Sequence, residues 1–297
     1  MDSGATISDA GSVRASDVTA SSLQGQAWAC ELAVTGFGAR IGVRVSDASL
    51  VSPLVAGLPQ RTRPARGGAV DATISIVAAT PAEVGPPAFH VLFDGEEPYR
   101  RAANIEHLLE DFDSLLRFTL AKFARDMVLI HAGVAGWNGR AIVIPGDTYS
   151  GKTSLVRALI EAGATYFSDE HAVLDFDGLV HPWLKPLSVR KPGQRRQSEI
   201  TPDAFGARTA TAACPVGLIV STQYRRGARW RPRTLTPSEG ALKLMAHAIA
   251  ARRDPALAMR AVAAAAARAC TIETARPDAA RAVRHIVALL ESAGAAP

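Results

Sequence analysis

Cysteine is scarce in this sequence: Cys30, Cys214 and Cys270 are its three, and none belongs to a C-x-x-C pair. An odd, scattered count excludes a disulfide scaffold and offers no zinc-site spacing, and it suits a reducing, cytoplasmic setting. His171, His181 and His247 lack metal-ligand spacing, and there is neither a G-x-S-x-G elbow nor a Cys/His arrangement for nucleophilic catalysis. No apolar run has the length of a membrane span. Residues 1–6 are polar, without a basic n-region or an apolar h-region, so no secretory signal is expected. Internal repeats are absent. Charge of neither sign dominates: 33 Lys and Arg stand against 28 Asp and Glu, a net +5. In an arginine- and alanine-rich chain this mild excess points to an anionic ligand more than to nucleic acid. What remains is a 297-residue chain, 48% hydrophobic, with enough apolar content to fill one large or two modest cores.

Residues 146–153 read Gly-Asp-Thr-Tyr-Ser-Gly-Lys-Thr, a complete G-x-x-x-x-G-K-[ST] loop. Such a loop wraps backbone N–H groups around phosphates, aims its lysine, here Lys152, at the β/γ oxygens and offers a hydroxyl, here Thr153, to Mg²⁺. Gly146, Tyr149, Ser150, Gly151, Lys152, Thr153 and Ser154 are therefore the expected nucleotide contacts. The flanks agree. Residues 141–144 (Ala-Ile-Val-Ile) read as a buried strand, and Leu155, Ala158 and Leu159 share one face of a helix that Gly163 would stop. That helix points its positive end at the phosphates.

Residues 1–25 are Ser/Ala/Gly/Asp-rich, without period, and read as a disordered tail. A β-rich N-terminal subdomain is expected over 26–103, from strand-like runs at 39–45, 72–77 and 89–93. Residues 104–126 read as a helix with a broad apolar face, and 104–297 as a nucleotide-binding α/β domain ending in helices. Within it, the apolar runs 127–136 and 140–144 flank Asn138-Gly139, a strong hairpin signal. The strand feeding the phosphate loop is thus one arm of an antiparallel hairpin, which ordinary P-loop NTPases lack. Further strands are expected at 172–176 and 215–222. Thr236, Pro237 and Glu239 form a capping box opening a helix to Arg253, followed by an alanine-rich helix at 255–270, a strand at 270–274 and a last helix from Pro277.

Asp169 and Glu170 follow Lys152 by 17 and 18 residues, about one helix and one strand, which brings them to a strand end beside the phosphate loop. One carboxylate could join Thr153 on Mg²⁺ while the other accepts a proton from an attacking hydroxyl. Neighbouring side chains on an extended strand face opposite ways, so both can serve only if the backbone bends. His131, in an apolar strand, has the setting of a hydrogen-bonded core histidine, yet its strand pairs with the one entering the loop and could reach the γ-phosphate region. The segment 185–197 carries five positive charges and no negative one among its prolines. It reads either as a solvated basic loop or as a phosphate or acidic-substrate clamp, with Arg190 and Lys191 as candidate contacts.

The run from Ile130 to Gly178, with its His, Asn-Gly hairpin, phosphate loop and Ser168-Asp169-Glu170, resembles the catalytic domain of HPr kinase/phosphorylase and its kinase-like relatives. The likeness extends over residues 127–191. It implies a fold akin to phosphoenolpyruvate carboxykinase, ATP and Mg²⁺ as cofactors, and functional positions at His131, Gly146, Ser150, Gly151, Lys152, Thr153, Asp169 and Glu170. In that pattern Asp169 would be the acid/base toward a serine hydroxyl and Glu170 would help hold Mg²⁺. Tyr149, Thr153 and Glu170 replace the Gly, Ser and second Asp of HPr kinases proper, and Ala132 separates His131 from Gly133. Together with Pro-Leu-Ser-Val-Arg at 186–190, these departures look closer to relatives found with peptide-modifying biosynthetic genes. The resemblance implies a hydroxyl kinase acting on a serine-bearing peptide or a small hydroxylated metabolite, in an assembly often homo-oligomeric. The same residues would also serve a nucleotide-binding regulatory or maturation protein without a separate acceptor, or a reversible kinase/phosphorylase.

Overall fold

The computed structural model describes residues 23, 25–79, 89–147, 150–189 and 198–294. Tyr149, Arg190, Lys191 and nearly all of the expected N-terminal tail lie outside the described residues. The architecture is mixed α/β, with two large sheets and flanking helices.

The first sheet comprises β1 (Cys30–Gly36), β2 (Ala39–Val45), β3 (Arg63–Ala65), β4 (Ala72–Val77), β5 (His90–Asp94) and β6 (Glu97–Ala102), in spatial order β3-β1-β2-β4-β5-β6. A short helix, α1 (Val51–Ala56), lies between β2 and β3. The alternation in β2 places Ile41, Val43 and Val45 in the core while Arg44 faces solvent. Across them packs α2 (Ile105–Phe123), whose Leu108, Phe112, Leu115, Leu116 and Leu120 form the opposing apolar face. Asn104 caps α2 by accepting from the backbone of Glu106 and His107. The helix ends at Phe123, earlier than its apolar pattern suggests, because Ala124 adopts an extended backbone (φ −56°, ψ 141°).

Then come β7 (Val128–Trp137), β8 (Arg140–Pro145), α3 (Lys152–Glu161), β9 (Thr165–Ser168), β10 (His171–Leu174), β11 (Leu179–His181), β12 (Leu187–Val189), β13 (Ser198–Ile200), β14 (Cys214–Tyr224), β15 (Arg233–Leu235), α4 (Pro237–Met245), α5 (Pro255–Arg268), β16 (Cys270–Arg276) and α6 (Ala279–Gly294). The second sheet runs β11-β10-β7-β8-β14-β16-β15, with β9 also on β7, while β12 and β13 pair apart. Strands β7 and β8 form the antiparallel hairpin, turned by Asn138 and Gly139 at φ 48° and 75°. Beyond it the sheet becomes parallel: β8, β14 and β16 run the same way.

Alternation along β8 sorts the two faces. Ala141 and Val143 point into the layer with α4 and α5, lined by Ala258, Ala261, Val262 and Ala265. Ile142 and Ile144 point into the layer with α3 and α6, against Leu155, Leu159, Ile286 and Leu290. Thr236 and Glu239 make the capping box, but α4 stops at Met245 and a 3-10 turn (Ile249–Arg252) replaces the rest of the expected helix. The break frees the His247 carbonyl to accept from the His131 backbone N–H at 2.8 Å, an edge contact to β7 that a continuous helix would forbid. No helix among the described residues is long and apolar enough to cross a membrane.

Candidate functional site at the phosphate loop

The carboxyl ends of β8, β14 and β16 lie along one sheet edge, the position where open α/β sheets bind ligands. The phosphate loop leaves β8 there. Gly146 donates its N–H to the His131 carbonyl at 3.3 Å, and a Cβ on it would stand 2.7 Å from Ser150 Oγ, which would have to turn away. Gly151 caps α3 with φ 87°, a left-handed geometry that disfavours side chains. It supplies no side-chain cap, and the first turn of α3 holds no acidic residue. The helix therefore presents uncapped N–H groups and its positive end to the loop, the composition of an anion site. Ser154 is exposed in that first turn.

Lys152 is buried, with Nζ donating to the carbonyls of Gly146 and Asp147 at 2.8 Å each. Burial lowers its pKa, opposed by Asp169, Asp147 and Glu170. The ammonium is held inside the loop, pointing where phosphate oxygens would replace the two carbonyls.

The acidic pair sits at a corner. Strands β9 and β10 both pair with β7, and between them the chain bends at Asp169 and Glu170. Ser168 Oγ fixes the bend by accepting from the backbone of Glu170 and of His171, at 3.4 and 3.1 Å. The two carboxylates consequently diverge. Asp169 is buried and its Oδ2 accepts the Thr153 hydroxyl at 2.9 Å. Glu170 turns the other way and accepts from Lys185 Nζ at 2.7 Å. The sequence suggested Thr153 and Glu170 together on the metal; the structure brings Thr153 to Asp169 instead.

Lys185 was legible only as the first charge of a basic loop, and the structure buries it. Its Nζ also donates to Ser114 Oγ at 3.0 Å and lies 3.9 Å from Asp113, both on α2. Arg117, likewise buried on α2, donates from Nε to Asp113 at 2.9 Å and stacks 4.7 Å from the Trp183 ring. Burial pushes the Glu170 pKa up, but His171, Lys185 and Arg117 outweigh it and hold the carboxyl at about 2. Because burial keeps His171 neutral, with a pKa of about 4, Lys185 and Arg117 are the cations that stabilise ionised Glu170 at neutral pH.

His131 stands opposite His171 in the β7–β10 pairing, their rings 6.2 Å apart and edge-on. Burial, then the Lys152 charge, lowers its pKa to about 4. With Asp147, Ala246, His247 and Ala248 it lines an open cleft of ≈ 430 Å³, where His247 Nδ1 lies 3.4 Å from the exposed Asp147 carboxylate. His247 carried no signal in the sequence beyond its failure to fit a metal pattern, and no cluster of potential metal ligands is found among the described residues.

A second residue unforeseen from sequence is Arg276, at the end of β16. It is 2% exposed, and its Nη2 donates to the Gly151 carbonyl at 2.8 Å. A Cβ on Gly151 would run into that nitrogen. The available signal was an arginine closing a core strand just before Pro277.

Fold and site together define a mixed α/β protein with a G-x-x-x-x-G-K-T loop and a buried aspartate at one sheet edge. No family model and no curated protein matches the chain. Among solved structures it is similar to the HPr(Ser) kinase/phosphatase from Coxiella burnetii, at 15% identity over 56% of this chain and 93% of that one, with a TM-score of 0.29. A likeness at that level identifies neither fold nor activity.

Proposed function

We propose that this protein is a Mg²⁺-dependent phosphotransferase that moves the γ-phosphoryl group of ATP to a hydroxyl, on a serine-bearing peptide or a small metabolite. The observation that carries the reading is the convergence of Lys152, the uncapped start of α3 and the Thr153–Asp169 pair at one sheet edge. Lys152 and the N–H groups of 149–153 would hold the phosphates, with Gly146, Ser150 and Ser154 in the surrounding loop. Thr153 and the acidic pair offer hard oxygen donors of the kind Mg²⁺ prefers. Asp169, already at Thr153, is reserved for the proton, and Glu170 would join Thr153 on the metal by exchanging Lys185 for it. Bound there, the ion would neutralise charge on the transferred group.

In the reaction the acceptor oxygen bonds to the γ-phosphorus, the bond to the β–γ bridging oxygen breaks, and the hydroxyl proton passes to Asp169. His131, uncharged at neutral pH, lines the cleft beside the loop and is suited to orient an acceptor through a hydrogen bond. Arg190 and Lys191 belong to the proposal only as basic neighbours in sequence. A non-transferring, nucleotide-sensing role is favoured by one feature, the capture of Glu170 by Lys185 away from Thr153.

The test is ATP consumption by the purified protein with Mg²⁺, with and without serine-containing peptides and hydroxylated metabolites, followed by mass spectrometry of products. Acceptor-dependent consumption lost in Asp169→Asn supports the kinase. ATP binding without turnover under every addition moves the reading to nucleotide sensing.

A further inference from the structure

Arg276 presents an electrostatic problem. Its guanidinium is 2% exposed, yet no carboxylate among the described residues forms an ion pair with it. Its polar contacts are the carbonyls of Gly151, at 2.8 Å, and of Pro277, at 3.3 Å. Buried Nε has no hydrogen-bond partner among the described residues. Asp278 and Tyr224 act on it only at a distance: Asp278 is engaged with Arg281 at 3.4 Å, and the Tyr224 ring lies 5.7 Å from the guanidinium. Through the Gly151 carbonyl Arg276 touches the residue that caps the positive end of α3. Burying a cation without a counter-charge is costly, and burial accordingly pulls this guanidinium below its ordinary pKa.

We propose that Arg276 is a positioning residue of the phosphate loop whose missing counter-charge is the polyphosphate of the bound ligand. It holds the Gly151 carbonyl, and through it the left-handed turn that aims the first N–H groups of α3. Its charge destabilises the empty protein and is compensated when an anion enters. Ligand binding and stability are thereby coupled at a residue that need not touch the ligand. The proposal rests on the reading of this loop as a phosphate site but not on phosphoryl transfer.

The experiment uses inorganic tripolyphosphate with Mg²⁺ and measures Kd by calorimetry, and Tm with and without ligand, for wild type, Arg276→Met and Arg276→Lys. The Met variant is expected to bind about tenfold weaker or more, to lose most of the ligand-induced rise in Tm, and to keep a ligand-free Tm equal to or above wild type, since an uncompensated buried charge has been removed. Arg276→Lys, which keeps the charge, should bind within about fivefold of wild type. A Met variant that is less stable when empty, or does not fold, would overturn the proposal and make Arg276 a plain structural anchor. So would a Met variant that binds within twofold of wild type, or a Lys variant as weak as the Met variant. Wild type that binds neither tripolyphosphate nor ATP would instead remove the phosphate-site reading, and this inference with it.

Discussion

The Thr153 hydroxyl donates to the Asp169 carboxylate at 2.9 Å, joining the first turn of α3 to the corner between β9 and β10. Glu170, one residue on, is turned to Lys185 by the same corner. The two adjacent carboxylates thus do different jobs: one meets the phosphate loop, the other meets Lys185, which bridges to α2.

Removing the loop cation and removing the carboxylate should therefore have different signatures. Lys152→Ala is expected to abolish turnover and weaken ATP binding, because a charged donor is lost from both ground and transition states. Asp169→Asn should lower kcat by about 10²- to 10⁴-fold with ATP affinity kept. Turnover assays paired with calorimetric titration separate the two, and an Asp169→Asn protein at wild-type rate would sink the proton-acceptor role.

Lys185→Met should cost about 2 kcal/mol of stability, the scale of a charged hydrogen bond left unmade at Glu170. The sign with pH follows from the lowered carboxyl. Glu170 contributes stability above its unfolded value near 4.5, and the contribution is lost as pH falls toward its folded value of about 2. Urea unfolding at several pH values should show this acid-side loss in wild type and a reduced one in Lys185→Met. Equal acid profiles for the two proteins would refute the assignment.

His131 and His171 should govern a separate window. Both have folded pKa values of about 4 against 6.5 when unfolded. As pH drops below 6.5 the unfolded chain takes up protons that the buried rings refuse, so stability falls, by up to about 1.4 kcal/mol per pH unit for each histidine, until about pH 4. Replacing His171 with Asn should remove its share of the slope between pH 6 and 4.5, leaving those of His131 and His247, whatever its effect on absolute stability. An unchanged slope would show that the ring titrates normally.

Gly133→Ala tests how tightly α3 is seated. A Cβ at Gly133 on β7 would lie 2.5 Å from Val156 Cγ2 on α3. The expected cost is about 1–3 kcal/mol from overpacking, together with weaker ATP binding as α3 shifts, both readable from Tm and titration. Full stability would mean that the helix moves freely on the sheet.

Much of the site lay in local patterns. The phosphate loop could be read because its glycines answer to local backbone geometry and its lysine and threonine to fixed spacing. The Asn138-Gly139 turn and the Thr236–Glu239 capping box were equally legible, each spanning four residues or fewer. The acidic pair was found by spacing, but its division was not. Which carboxylate faces Thr153 depends on the bend that Ser168 imposes, and Lys185, the partner of Glu170, is itself held by Ser114 on α2, 71 residues earlier in the chain. Strands β1 and β6 gave weak signals because their outer positions are exposed and their pairing comes from neighbours.

By itself the sequence determined a phosphate-type loop on a strand–loop–helix unit, a hairpin before it and carboxylates one element later, all consequences of backbone preference and short-range periodicity. Only the tertiary structure decided the electrostatics. It buried Lys185 beside Glu170, placed His131 against His171, and drove Arg276 into the loop without a carboxylate, because these contacts join residues far apart in the chain. A charge acquires its cost or its use from what folding leaves around it.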